Sequence, residues 1–211
     1  MDFFLNLPTP TIVVFVALSL LSVLTLTLTI YKFLQFSRLG VGRHKVADGI
    51  LDDWLNGRPD EAQRKASAGK TVLSRTLAAV MSGLRARPND PAYGQELARQ
   101  VALNEMSQMG AQMRILEAIV QMAPMLGLLG TVIGMIDAFS NLSFSQEMSD
   151  PRLLASGIWT ALTTTAMGLA IALVAYFVTS WLEGRIEDER QTLELVVSSA
   201  IHGRIAQGMR P

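Results

Sequence analysis

LLASGIWTALTTTAMGLAIALVAYFVTSWL, Leu153 to Leu182, and AIVQMAPMLGLLGTVIGMI, Ala118 to Ile136, decide the fold of this chain. Between Ala118 and Leu182 there are four charged residues, and all four fall between Asp137 and Arg152. Both runs are therefore free of charge, and about 20 apolar residues in a helix suffice to cross roughly 30 Å of hydrocarbon. Neither is a plain lipid-facing run of Leu and Val. Gly, Ala and Thr recur in both at helical spacing, which predicts two tightly packed membrane helices with hydroxyls facing inward.

Working outward, a third apolar run comes first in the chain, TIVVFVALSLLSVLTLTLTIY, Thr11 to Tyr31. Asp2 and no Lys or Arg precede it, no small-residue cleavage pattern follows, and it is longer than the apolar region of a secretory signal. It reads as a retained membrane helix, with Pro8 and Pro10 at its start. The chain has 211 residues, a length usual for one domain, with half its residues hydrophobic and a mean hydropathy of +0.32. That average fits a membrane region joined to a substantial polar one.

Three spans place the termini on opposite sides, and basic residues orient them. Residues 32–114 hold 13 Lys and Arg, including Lys32, Arg38, Arg43 and Lys45 directly after the first span. Arg152 alone lies between spans two and three. The expectation is an all-α polytopic protein with helices two and three extended into a cytoplasmic helical region. Its divisions are a periplasmic N-terminus (1–10), spans at 11–31, 115–137 and 153–182, a cytoplasmic region (32–114), a periplasmic loop (138–152) and a cytoplasmic tail (183–211). Within the polar region, RPDEAQRKASAGKTVLSRTLAAVMSGLRAR reads as short amphipathic helices and RPNDP, Arg87 to Pro91, as a turn. From Tyr93 a helical pattern leads through Leu97, Val101 and Met109 to Ile115, and is expected to run unbroken into span two. Beyond Trp181 the third span is expected to continue as a charged amphipathic helix.

Composition removes several function classes. Eighteen basic and eighteen acidic residues leave no net charge, hence no bulk attraction to nucleic acid. No cysteine is present, which excludes disulfides and thiolate sites. His44 and His202 lie far apart in polar sequence and read as solvated surface residues, so no metal or cofactor is expected. Nothing argues for an enzyme: AGK at Ala68 to Lys70 lacks the upstream glycine of a P-loop, and there is no GxSxG or HExxH.

At 100° per residue, Gly127, Thr131, Gly134 and Ala138 share one face of span two, where Gly130 and Gly134 also form a GxxxG pair. Gly157, Ala161, Thr164, Gly168 and Ala175 form a stripe on span three, with Thr165 and Ala172 at its edge. Two readings stay open: packing surfaces alone, or packing surfaces that also line a path. Pro124 removes a backbone hydrogen bond inside span two and predicts a kink, either a fixed bend or a flexible point. Ser22, Thr25 and Thr29 make a weak polar stripe on span one. Intramembrane acids mark ion pathways, and none lies deep in these spans; Glu117 and Asp137 stand at the two ends of span two. Any titrating carboxylate would have to come from another protein.

APMLGLLGTVIGMIDAF, Ala123 to Phe139, together with GIWTALTTTAMGLAIAL, Gly157 to Leu173, resembles the paired-span signature of the MotA/TolQ/ExbB proton-channel family. The strong similarity covers about residues 115–185. The three-span layout with N-terminus outside is similar to the TolQ/ExbB branch, whereas MotA-type members have four spans. The resemblance implies an inner-membrane stator subunit, assembled as a homopentamer around single-span partners of the ExbD/TolR kind. The partner's intramembrane Asp would carry the proton, and work would pass to a TonB- or TolA-like protein. It also implies that Thr131 and Thr165 face the pore, and Thr160 and Thr164 are expected on the pore face with them. Thr160 occupies the place of the Glu usual in the branch's GIAEAL motif, and the added hydroxyls of Thr160, Thr163 and Thr164 would suit sodium; protons are the favoured ion. A non-conducting structural or assembly subunit is the alternative reading.

Overall fold

The computed structural model describes residues 9–144 and 151–203, and every element among them is helical. The helices are α1 (Thr9–Leu39), α2 (His44–Leu55), α3 (Pro59–Ala68), α4 (Val72–Ala86), α5 (Pro91–Gly110), α6 (Met113–Phe144) and α7 (Pro151–His202). Three of them, α1, α6 and α7, contain the three apolar runs. Each carries an 18-residue window long and apolar enough to cross a membrane, with mean hydropathy of 2.5, 1.9 and 1.9 respectively. The chain is an all-α, multi-pass membrane protein.

Although the length suggests one domain, the residues gather into two compact units, each assembled from separated segments. The first joins residues up to Ile30 with Gln112–Ser180; the second joins Tyr31–Ala111 with the residues from Trp181 onward. No linker composition marks the division, because two of its three boundaries fall inside continuous helices.

In the first unit, small side chains set the packing. Ile119 and Ala123 of α6 meet Ala172 and Ala175 of α7, and Leu21 and Leu28 of α1 pack against this cluster. Val14 and Leu18 of α1 are likewise buried. At the far end of this bundle the hydroxyl of Thr11 donates to Oδ2 of Asp137 at 3.4 Å, tying α1 to α6. Thr25 and Thr29 of the α1 polar stripe return their hydroxyls to the carbonyls one turn back, at 2.7 Å each, and Thr25 is buried while Ser22 is exposed. The α6 helix continues through Pro124 and extends past Asp137 to Phe144, so much of the expected 138–152 loop is helix. Pro8 and the centre of that loop, residues 145–150, lie outside the described residues.

The second unit is a small globule of α2 to α5 with the ends of α1 and α7. Pro59 and Pro91 sit in the first turns of α3 and α5, where the missing N–H is no loss. Thr71 caps α4 by accepting from the Ser74 amide at 3.2 Å. The amphipathic helices read from the sequence bury Ile50, Leu51, Ala62, Ala66, Leu73, Leu77 and Met81 together. A methyl group on Gly83 would lie 2.5 Å from the Gly94 Cα, so α4 and α5 approach backbone to backbone there. Three polar ties complete the unit. Arg75 pairs with the buried Glu105 at 2.8 Å, Arg58 with the buried Asp53 at 2.7 Å, and the Trp54 indole donates to the Ala200 carbonyl at 3.1 Å.

The helical pattern from Tyr93 does not run unbroken into span two. It stops at Gly110, and α6 begins again at Met113 after Ala111 (ψ 144°) and Gln112 (φ 62°). An extended residue followed by a left-handed one cannot carry the i to i−4 ladder. The carbonyls at the end of α5 are met from α1 instead. The fully buried Lys32 ammonium donates to the Met109 carbonyl at 2.9 Å and to Gln35 at 3.0 Å, and Gln35 donates to the Gln108 carbonyl at 3.0 Å. Periodicity of apolar residues persists across the break, which is why the sequence pattern misses it. His44, expected on the surface, is half-buried, and its Nδ1 is enclosed.

Candidate functional site

The pair α6 and α7 forms the site, and its geometry starts with glycine. Along one face of α6, a Cβ added to Gly127 would stand 3.0 Å from the Thr164 carbonyl and the Thr165 Cα. One on Gly130 would stand 2.5 Å from the Thr164 hydroxyl, and one on Gly134 would meet Ala161 at 2.9 Å. From the α7 side, Gly157 faces Ala138, and Gly168 faces the Ala123 carbonyl and the Gly127 Cα. Any larger side chain at Gly127 or Gly168 would strike backbone, which cannot swing aside as a side chain does.

Close approach brings hydroxyls onto a facing backbone. Thr165 donates to the Gly127 carbonyl at 2.9 Å, a bond between helices. Thr164 is fully buried, donating to the Ala161 carbonyl at 2.7 Å with the Gly127 carbonyl at 3.4 Å. Thr164 was expected on a pore face; it lies enclosed between α6 and α7, because Gly130 leaves room there for its side chain. Its hydroxyl is unavailable to anything outside the pair.

The other expected pore residues, Thr131, Thr160 and Thr165, keep part of their surface. Thr131 is half-buried and donates to the Leu128 carbonyl at 2.6 Å. It edges a shallow groove of about 670 Å³ lined by Val132, Met135, Ile136, Phe139 and Ser140. Thr160 and Thr163, also half-buried, donate to the Ser156 and Trp159 carbonyls at 3.0 and 2.8 Å. A hydroxyl has one hydrogen and two lone pairs. Thr131, Thr160, Thr163 and Thr165 each commit the hydrogen to a backbone carbonyl, so toward any neighbour they act as acceptors. Such a surface suits a group that brings its own proton or positive charge.

Among the described residues no cluster of three or more His, Asp or Glu could hold a metal ion. Sequence reading missed the buried Lys32 and the enclosed Glu189, which is 1% exposed. Both lie on segments whose charge marks them as solvated, and no local pattern distinguishes them from their exposed neighbours.

A polytopic helical protein with two spans that meet through glycine, and with the hydroxyls of Thr131, Thr160, Thr163 and Thr165 held on backbone carbonyls, is a membrane protein of tightly paired helices. Residues 68–195 match the model of the MotA/TolQ/ExbB proton channel family, and the chain belongs to that family. It is 32% identical over 157 residues to a putative biopolymer transport protein ExbB homolog of Methanothermobacter thermautotrophicus, covering 74% of this chain and 54% of that one. It is 33% identical over 168 residues to the putative biopolymer transport protein ExbB-like 1 of Synechocystis, covering 79% and 65%. A shorter match, 41% over 68 residues, joins it to the biopolymer transport protein exbB1 of Vibrio cholerae, covering 32% of this chain and 30% of that one. The chain thus spans between about half and two thirds of the length of the first two relatives it matches.

Proposed function

We propose that this chain is an ion-conducting stator subunit of the inner membrane, which turns ion-motive force into mechanical work for transport across the cell envelope. The observation that carries this reading is the pairing of acceptor hydroxyls on α6 and α7 with spans that contain no deep carboxylate. A proton path needs a group that binds and releases the proton. In this reading a single-span partner of the ExbD/TolR kind supplies an intramembrane Asp, held by a ring of five copies of this chain. Thr131, Thr160 and Thr165 accept from that carboxyl when it is protonated and withhold donation when it is ionised, which favours carrying the neutral form past the hydroxyls. Pro124 would serve as the bend at the inner half of α6, and Gly127, Gly130, Gly134, Gly157, Ala161 and Gly168 keep the two helices close enough to act as one wall. The N-terminus lies outside and the polar helices inside, following the basic residues of 32–114. Work would pass to a TonB- or TolA-like protein.

Outward-facing acceptors also suit a bare cation, so a sodium-driven stator is the second reading; protons are favoured because a neutral carboxyl matches acceptors without further charge. The test is flux in proteoliposomes holding this chain with and without an Asp-bearing single-span partner. Proton flux that needs the partner, falls in Thr131→Ala and Thr165→Ala, and leaves ring assembly unchanged supports the reading. No flux in either preparation assigns a non-conducting scaffold instead, and flux that requires sodium assigns the second reading.

A further inference from the structure

The turn that joins α1 to α2 rests on a buried carboxyl group of α7. Gly40 and Gly42 take left-handed conformations, φ 67° and 81°, and the Arg43 amide closes the turn on the Gly40 carbonyl at 3.0 Å. The Gly42 amide donates to Oε2 of Glu189 at 3.0 Å. Glu189 is 1% exposed, and its Oε1 is buried with no hydrogen-bond partner in the protein. A side chain on Gly42 would meet the Arg185 guanidinium at 2.8 Å, so the turn also covers Arg185. The charged and titratable groups around Glu189 are His44 of α2, with Asp48 one turn beyond it, and Arg185 of its own helix. The Nδ1 of His44 is likewise buried and unpartnered.

A carboxylate with one oxygen buried and unsatisfied is costly, whereas a neutral carboxyl pays far less desolvation and still accepts through its carbonyl oxygen. Protonation leaves the Gly42 bond possible and adds a hydrogen at the side of the unpartnered oxygen. Ionisation restores the cost, which lifting the turn to admit water would relieve.

We propose that the Gly40–Arg43 turn and Glu189 form a proton-operated latch, closed over α7 while Glu189 is protonated and released when it ionises. Burial raises the Glu189 carboxyl above its ordinary value of 4.5 and outweighs the Gly42 amide, His44 and Arg185, each of which favours the anion. The closed-state value therefore lies above the open-state one. Closure is fully favoured below the open-state value and is lost as pH rises through the closed-state value. Both α1 and α7 carry membrane-spanning runs, so the latch joins two such helices through a group that senses protons. It does not depend on conduction by the spans.

The test is hydrogen exchange of the Gly42 amide in the full chain in detergent micelles, corrected at each pH for the intrinsic exchange rate. Protection is expected to be highest at acid pH and to fall by up to about tenfold per pH unit, the limit for one proton. Glu189→Gln is expected to hold acid-level protection at every pH. His44→Gln removes a charge that favours the anion, and is expected to move the midpoint upward. Protection independent of pH in the unaltered chain overturns the latch, as does a pH dependence that survives Glu189→Gln and vanishes in His44→Gln. A carbon-13 titration of the Glu189 carboxyl in the unaltered chain needs no variant to fold, and a midpoint at or below the ordinary glutamate range also overturns it.

Discussion

The hydroxyl of Thr165 on α7 donates to the carbonyl of Gly127 on α6 across 2.9 Å. The bond exists because Gly127 has no side chain to hold the helices apart, and it joins a residue proposed to line the ion path to the packing of its own helix pair. Packing at Thr165 and the ion handling proposed for it are therefore separable only by substitutions that treat them differently.

Thr165→Val keeps the shape and branching of the side chain and removes the hydroxyl. Interhelical hydrogen bonds in membranes are worth on average about 0.6 kcal/mol, so the thermal stability of the purified protein should fall only slightly. Thr165→Ser keeps the hydroxyl and loses a methyl group. If the hydroxyl serves conduction, flux with the partner is lost in the valine variant and retained in the serine one. Equal flux in both leaves Thr165 with packing alone.

Gly168→Ala places a methyl group against the Ala123 carbonyl and the Gly127 Cα, neither of which can rotate away. Overpacking of this kind costs about 1–3 kcal/mol. Thermal unfolding in detergent should show a clear loss of stability. Gly184→Ala, where a methyl group meets nothing within 4 Å, should be neutral or slightly stabilising through helix propensity. If the two variants behave alike, close contact of α6 and α7 at Gly168 is wrong.

Asp53 offers a pH-dependent check on the polar unit. Donation from Lys65 holds its carboxyl below the ordinary value of 3.8, assisted by the charges of Arg58 and Lys65 and opposed by desolvation. A depressed folded-state value contributes stability that is present above the unfolded value and disappears as pH falls through the folded one. Comparing thermal unfolding of the unaltered chain and Asp53→Asn from about pH 7 to about pH 3 should show a gap at neutrality that closes on acidification. A gap that widens toward acid would reverse the sign of the interaction.

The helices and their membrane character were readable because apolar length and charge exclusion are properties of contiguous sequence. Small residues repeating at helical spacing, such as Gly127, Gly134 and Ala161, carry information about where helices meet, since only they leave room for a facing backbone. What periodicity cannot convey is which hydroxyl is enclosed: Thr164 and Thr165 are neighbours, yet the first is buried and the second half-exposed. Nor does it convey a break that costs two residues and leaves the apolar pattern in step, as at Ala111 and Gln112. The burial of Lys32 and Glu189 depends on partners 77 and 147 positions away, Met109 and Gly42, and no window of local sequence contains both members.

The capping of α5 by Lys32 turns the chain's amines into a built-in gauge. Its four lysines are Lys32, Lys45, Lys65 and Lys70, and the last three are exposed. An acylating reagent applied to the native protein would mark those three at once and reach Lys32 only when the Met109 end of α5 comes away from α1. Three residues thus calibrate the reagent while the fourth counts the openings, with no substitution introduced.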